Sequence, residues 1–403
     1  MKILVINTGS SSIKYQLFNM KNQEVLCHGV VERIGEETGT LTHEVFSGEG
    51  DPVIKTYDGF IPDHEAGFSK IVDCLMNNDF GVIKDRKEIS AVGHRVVHGG
   101  EIFKKPTVIN DDVIKAITDN IPLAPLHNPS NLTGIEVAIS VFPESHQVAV
   151  FDTAFHQSIP PHAFMYALPY KLYKKDRVRR YGFHGTSHAY VTEKCADFLG
   201  KQLHELNIIT IHLGNGASMA AIKKGECVDT SMGMTPLEGL VMGTRTGDVD
   251  PALPFFLADH LNMNLKEIDN LLNKESGLKG MCGTNDMREV IAKMDEGDIN
   301  AELALDVYTY RIKKYIGAYF AVLEDLDAVV FTAGIGEHAP RIREFSCRGL
   351  HNLGINIDIE KNNMPGNSIR EISTQGSKVK VLVIPTNEEL RIAQETKKII
   401  DYI

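Results

Sequence analysis

The sequence predicts an α/β protein built from two related domains, and three observations carry that prediction. Ile3-Leu-Val-Ile-Asn-Thr-Gly-Ser-Ser-Ser12 reads as a buried strand that runs into a turn and returns as a second strand, Ile13 to Phe18. Ile208-Ile-Thr-Ile-His-Leu-Gly-Asn-Gly-Ala-Ser218 repeats the pattern at the head of the second half, with a return strand to Ile222. Laid over each other, Ile3 meets Ile208, Ile6 meets Ile211, Asn7 meets His212, Gly9 meets Gly214 and Ser10 meets Asn215. Third, 403 residues of ordinary apolar and charged content suffice for two full cores. Turns without Cβ atoms bring backbone N–H groups close to an anion, so the duplication points to two domains that face a shared polyphosphate. Glycine, asparagine and serine also fill ordinary hairpin turns. It is the pair, each ending a buried-looking strand, that carries the reading.

A formal charge of −11 excludes a nucleic-acid surface or an anionic membrane as the natural partner. No apolar run is long enough to span a bilayer, and Met1-Lys2 leads straight into a strand without a signal-peptide core, so a cytoplasmic protein is expected. Cys27, Cys74, Cys195, Cys227, Cys282 and Cys347 form no C-x-x-C pair, as expected of reduced thiols.

After the first hairpin, residues 24 to 57 read as short strands with a turn at Gly48-Glu-Gly-Asp51. Phe68, Ile71, Val72, Leu75 and Met76 recur at helical spacing. Strand Ile89–Gly93 delivers His94-Arg-Val-Val-His-Gly-Gly100 as a basic loop, where open α/β sheets place ligands. A helix over 111–120 follows, and Asn128-Pro129 reads as an N-cap with proline behind it, which sets His127 beside a helix N-terminus. Strand Gln147–Phe151 ends on Asp152, and the domain boundary falls there: residues 1–152 form one domain, completed by 388–403, and 153–387 the other. The basic run from Tyr170 to Arg180 reads as a solvated face. Thr186 or Ser187 caps a helix to Leu199. Beyond the second hairpin, Met234 to Asp250 is a glycine-rich loop that carries Arg245, and helices follow at 251–272, 286–296 and 300–325. Strand Ala328–Thr332 enters Ala333-Gly-Ile-Gly-Glu-His338, with a helix over 340–350. The last strand, Val379–Ile384, leads to Thr386-Asn-Glu-Glu389, a capping box with Glu388 in the first turn of the terminal helix.

Several constellations compete for the chemistry. Gly334-x-Gly-x-x-Ala339, with Asp358 downstream, resembles a dinucleotide fingerprint, but it comes late and leaves both hairpins unexplained. No Walker-type loop occurs. His94/His98 and His184/His188 have zinc-compatible spacing but lack the glutamate of H-E-x-x-H. Arg95, His127, Asp152, His184 and Arg245 each stand where a strand, helix or glycine loop ends, and arginine forks bind carboxylate and phosphate bidentately. Two such forks imply an anionic acceptor and a phosphoryl group.

These residues resemble the acetate and propionate kinase family of the actin, heat-shock-chaperone and sugar-kinase fold. The resemblance runs the whole length, through Asn7 to Lys14, Gly93 to Gly100, Pro125 to Asn128, Val150 to Thr153, Tyr181 to His188, His212 to Gly216, Gly243 to Arg245 and Pro385 to Glu388. It implies two duplicated actin-like ATPase domains of the ribonuclease H-like type with a cleft between them. It also implies the reaction ATP + acetate ⇌ ADP + acetyl phosphate, with Mg2+ or Mn2+ in its place. Carried over by motif, Asn7 and Glu388 serve the metal. Ser10, Ser12, Lys14, His212, Leu213, Gly214, Asn215, Gly216, Asp286, Met287, Arg288, Gly334, Ile335, Gly336, Glu337 and His338 bind nucleotide. Arg95 binds the carboxylate, Asp152 is the active-site carboxylate, and His184 and Arg245 stabilise the transition state; His127, beside its helix N-terminus, is a further catalytic candidate. His338 departs from the family, which usually has asparagine there. Val97, Leu126, Phe183 and Pro236 are the apolar neighbours expected around the acid's tail, and similar kinases that favour propionate carry a smaller residue where Val97 stands. The resemblance further implies a homodimer. A nucleotide-switched binding protein of the same fold would need the hairpins but not Arg95, His184 and Arg245.

Overall fold

A computed structural model describes residues 1–46, 51–125 and 127–403. Gly48 to Gly50 of the expected turn Gly48–Asp51, and the expected tail contact Leu126, lie outside the described residues. The chain separates into two compact units, Met1–Ala154 with Asn387–Ile403, and Phe155–Thr386.

In the first unit the strands are β1 (Lys2–Thr8), β2 (Ser12–Asn19), β3 (Glu24–Glu32), β4 (Gly39–Val45), β5 (Val53–Gly59), β6 (Ile89–Val96), β7 (Thr107–Val108) and β8 (His146–Phe151). They form one sheet in the order β5-β4-β3-β2-β1-β6-β8-β7. The second unit holds β9 (Asn207–Leu213), β10 (Ala217–Lys223), β11 (Glu226–Thr230), β12 (Ala328–Thr332), β13 (Arg370–Glu371) and β14 (Lys380–Val383), in the order β11-β10-β9-β12-β14-β13. The duplication read from the hairpins extends to both sheets. β1 pairs antiparallel with β2 and parallel with β6, as β9 does with β10 and β12. β6 continues parallel to β8, as β12 does to β14.

Alternation along β1 assigns its two faces. Leu4 and Ile6 join a core with Phe68, Ile71 and Leu75 from the helix His64–Leu75, while Ile3 and Val5 join Val148, Val150, Ile392 and Ala393 on the opposite face. Ile392 and Ala393 belong to the helix Glu388–Ile400, so the last residues of the chain cover a sheet begun by the first. β9 is buried on both faces, and its Ile208 to Leu213 run is apolar apart from Thr210 and His212.

The structure corrects several local expectations. β6 runs to Val96, so His94 and Arg95 are strand residues rather than loop. The N-cap of the helix Asn128–Val141 is His127, and Asn128 instead binds His98 and Ile117 through its side chain. His184, not Thr186 or Ser187, caps the helix Gly185–Leu199. The span 251–272 is two helices, Leu253–Leu261 and Leu265–Lys274, because Asn262 turns left-handed between them. Gly334 to His338 is a helical turn, Ala333–His338. The terminal helix is capped by Asn387, whose Oδ1 accepts from the Leu390 N–H, rather than by a box begun at Thr386. The basic run is solvated only in part. Arg179 is buried with its guanidinium 3.6 Å from the Phe164 ring centroid. Arg180 donates to the Thr230, Ser231 and Met232 carbonyls and pairs with Glu238 at 2.5 Å.

Close approach of the terminal helix to β6 depends on Gly93, where a Cβ would lie 2.4 Å from Thr396 Oγ1 and 2.9 Å from Ile392 Cγ2. Gly93→Ala should therefore cost about 1–3 kcal/mol of stability by overpacking. Denaturant unfolding should show part of that loss recovered in Gly93→Ala/Thr396→Ala, which removes the nearer obstacle.

Candidate active site

In the first unit, parallel pairing brings the ends of β1, β6 and β8 together. Arg95 stands one residue from the end of β6, and Asp152 directly follows β8, its N–H donating to the Val96 carbonyl at 2.9 Å. Arg95 Nη2 donates to Asp152 Oδ2 at 2.5 Å and Nη1 to Asn7 Oδ1 at 3.4 Å, while Nε lies 3.9 Å from Glu388 Oε2. Burial works against the charge of Arg95, but the carboxylates of Asp152 and Glu388 outweigh it and raise its pKa. Its Nε–H is buried without an acceptor, a donor left for an anionic ligand.

Glu388 opens the terminal helix, where the dipole favours an anion. Burial nevertheless lifts its pKa; Arg95 and Lys14 pull it down, Asp152 and Glu389 push it up, and the net position is about 7. A partly buried carboxylate beside a second one is a setting that a hard divalent cation relieves, and the Asn7 amide oxygen adds a ligand of the right kind. Among the described residues no group of three or more His, Cys, Asp or Glu could hold a metal. Mg2+ needs no such cage, because it keeps several waters.

In the second unit, the hairpin turn His212–Gly216 closes with the Gly214 N–H donating to the Gly216 carbonyl at 2.9 Å. His184 has φ 57°, a left-handed conformation that costs strain in a residue with a side chain. That conformation lays its ring on His212, with centroids 4.2 Å apart and 20° between planes, and sets Nδ1 2.8 Å from Ser218 Oγ. Gly216 lies against both His184 and Arg245: a Cβ there would be 3.4 Å from the His184 ring and 3.7 Å from Arg245 Nη1. Arg245 Nη1 donates to the Pro236 carbonyl at 3.2 Å, and among the described residues no carboxylate pairs with it. Burial lowers its pKa. A half-buried guanidinium without a counter-ion, beside a glycine turn, is an anion site in waiting.

Beside the same turn opens a cavity of about 920 Å³. Gly214, Asn215, Asp286, Met287, Arg288, Gly334, Ile335 and His338 line it, all named from the sequence. The sequence reading missed Asn285, Ile291, Ala339, Pro340, Arg341, Glu344 and Asn363. Asn285 Nδ2 donates to Asn215 Oδ1 at 3.0 Å, and its place just ahead of Asp286 was the available signal. His338 is largely exposed on the cavity wall.

The other expected residues have the following surroundings. His212 is buried and bonds through Ser187 Oγ to Thr386 Oγ1, at 2.8 Å in each step. Leu213 and Gly336 are buried, and Glu337 Oε1 accepts from the Thr386 N–H at 3.1 Å. Lys14 and Ser10 are exposed on the first hairpin and Ser12 is half-buried. Val97 and Phe183 are buried, the Val97 N–H donating to Asn131 Oδ1, and Pro236 is half-buried. Asp358, the ribose candidate of the dinucleotide reading, instead caps the helix Ile359–Asn363.

The duplicated sheets and paired hairpins define the actin-like, ribonuclease H-like α/β class. Residues 2–394 match the Acetokinase family, and the chain belongs to that family. It is similar to acetate kinases of Halothermothrix orenii, 55% identical over the whole of both chains, and of Nitratidesulfovibrio vulgaris, 55% identical over 98% of each. Among solved structures it resembles Porphyromonas gingivalis acetate kinase (TM-score 0.93, 45% identity, 99% of each chain). It also resembles a propionate kinase from Francisella tularensis (TM-score 0.91, 44% identity, 98% of this chain and 99% of that one).

The raised pKa of Glu388 has a consequence for stability. The unfolded chain ionises this carboxyl near its ordinary 4.5, the folded one near 7, so stability falls as pH rises across that window and the loss is complete above it. Glu388→Gln escapes the loss, which is at most about 3 kcal/mol for such a shift. The difference in melting temperature between variant and parent should therefore grow in the variant's favour from pH 4.5 to 7 and then level off.

Proposed function

We propose that this chain transfers the γ-phosphoryl group of ATP reversibly to acetate, giving acetyl phosphate and ADP by direct in-line displacement. The observation that carries the reading is Arg245, a guanidinium without a carboxylate partner among the described residues, set against the glycine turn that borders the cavity. Phosphoryl transfer spreads negative charge over equatorial oxygens, and positioned cations and N–H donors are the means of meeting it. Arg245 and His184 take that role.

The acceptor needs no base, since a free carboxyl is already ionised well below neutral pH. Asp152 instead holds the Arg95 fork in place for the acetate carboxylate. ATP occupies the cavity lined by Asn215, Asp286, Arg288 and Gly334, its phosphates at the His212–Gly216 turn. Mg2+, held by Glu388 and Asn7, would neutralise phosphate charge. A homodimer fits the exposed apolar side chains of the second unit, with Phe255, Leu265 and Ile299 more than two-thirds accessible. No helix among the described residues is long and apolar enough to cross a membrane; a cytoplasmic location agrees with that.

ADP release should depend on acetate in a coupled assay, and Arg245→Lys should lower kcat by about 2–4 kcal/mol of transition-state stabilisation while changing the acetate KM little. Near-normal turnover in that variant would remove Arg245 from the reaction.

Val97 follows Arg95 by two residues, and we assign it to the acid's tail. One methylene is worth only about 1–3 kcal/mol in an apolar pocket, so propionate should be a slower but measurable substrate. Val97→Ala should raise kcat/KM for propionate relative to acetate; an unmoved ratio would take Val97 out of the tail pocket.

A further inference from the structure

Behind His184 lies a chain of hydrogen bonds that the reaction as described does not use. Ser218 Oγ is 2.8 Å from His184 Nδ1 and 2.8 Å from His188 Nε2, and His188 Nδ1 is 2.7 Å from Thr210 Oγ1. Ser218, His188 and Thr210 are each fully buried, so water cannot complete a missing bond. Burial, with His156 and His212 nearby, also holds His188 well below the ordinary histidine value, which keeps its ring neutral with one N–H and one bare nitrogen.

Three bonds, with one proton on the His188 ring, leave three ways to arrange the chain. In one of them His184 Nδ1–H and His188 Nε2–H both donate to Ser218 Oγ, and the buried Ser218 proton is left without an acceptor. Running outward, the Thr210 hydroxyl donates to His188 Nδ1, His188 Nε2–H donates to Ser218 Oγ, and the Ser218 hydroxyl donates to His184 Nδ1. Every buried proton then has an acceptor. Running inward, His184 Nδ1–H donates to Ser218, Ser218 to His188 Nε2, and His188 Nδ1–H to Thr210 Oγ1, whose own proton is left with no acceptor in a dry site. The outward chain wins, because an unpaired buried donor costs its full desolvation whereas a paired one does not.

We infer that Thr210, His188 and Ser218 form a tautomer-setting relay that makes His184 a neutral hydrogen-bond donor at Nε2. They are positioning residues, and the group they prepare is an N–H aimed at phosphoryl oxygens. An imidazolium at His184 would need a proton on Nδ1, which strands a buried hydroxyl proton, that of Ser218 or, if the whole chain reverses, that of Thr210. His184 thus resembles other neutral imidazoles used as electrophiles rather than as general acids.

The inference rests on His184 meeting the phosphoryl group, and the tests separate the two ideas. In the 15N spectrum of histidine-labelled full-length protein, with His184 assigned through His184→Gln, the His184 Nδ1 signal should be that of a bare nitrogen and Nε2 that of an N–H. A protonated Nδ1 would overturn the relay whatever the kinetics. Ser218→Ala should lower kcat about 10–100-fold with little change in KM for ATP or acetate, as the loss of an outer partner of a functional histidine does elsewhere. In a His184→Gln background the same change should move kcat less than about 2-fold, because the two residues act as one unit. An equal loss in both backgrounds would reduce Ser218 to a structural residue and overturn the relay. Thr210→Val keeps the buried shape and removes the terminal donor, so it should blur the His184 tautomer even if Ser218→Ala fails to fold. An unchanged single tautomer in Thr210→Val would also overturn it. If His184→Gln alone leaves kcat unchanged, the phosphoryl role of His184 fails while the spectrum still reports on the relay.

Discussion

Parallel pairing between strands is the constraint on which the site depends. Two parallel strands end at the same edge of a sheet, so residues that follow them in distant parts of the chain arrive together. β1, β6 and β8 bring Asn7, Arg95 and Asp152 to one edge; β9, β12 and β14 bring His212, Thr332 and Thr386 to the corresponding edge of the second unit. The same topology carries different chemistry in its two copies. In the first, an arginine is bonded to an aspartate and an asparagine; in the second, a histidine reaches a threonine through Ser187.

The two arginines show how burial and company divide labour. Arg95 keeps carboxylates within reach, which hold its charge and its direction, and leaves one N–H for a ligand. Among the described residues Arg245 meets the Pro236 carbonyl and the Met242 thioether but no carboxylate, and its charge is less well supported. Arg95 suits recognition of an anion that is fully charged before the reaction begins. Arg245 suits charge that grows during reaction, because an under-compensated cation gains most when negative charge develops beside it.

Much of this was legible in the sequence where the signal is local. The hairpins, their strand register and the delivery of Arg95 and Asp152 at strand ends follow from short runs of apolar residues and the turns between them. The caps were less legible: His184 takes a left-handed conformation that its sequence does not advertise, and Asn128 spends its amide on His98 and Ile117 rather than on the helix behind it. Arg180 reads as one charge in a basic run, yet its partner Glu238 lies in the loop that supplies the Pro236 carbonyl to Arg245. The Ser218–His188–Thr210 chain was hidden for the same reason, since each member is an ordinary strand or helix residue until the fold sets them side by side. Contacts that link distant segments carry no local pattern.

The terminal helix has a consequence for how the protein is made. Ile3, Val5, Val148 and Val150 of the first unit are covered by Ile392 and Ala393, residues that leave the ribosome after the whole of the second unit. The second unit is continuous from Phe155 to Thr386 and can close around its own core as soon as it has emerged. The first unit cannot, because one face of its sheet stays bare during all of that synthesis. Biogenesis therefore runs against chain order: the later segment matures first, and the earliest one waits, with an uncovered apolar face that nascent-chain chaperones would have to shield.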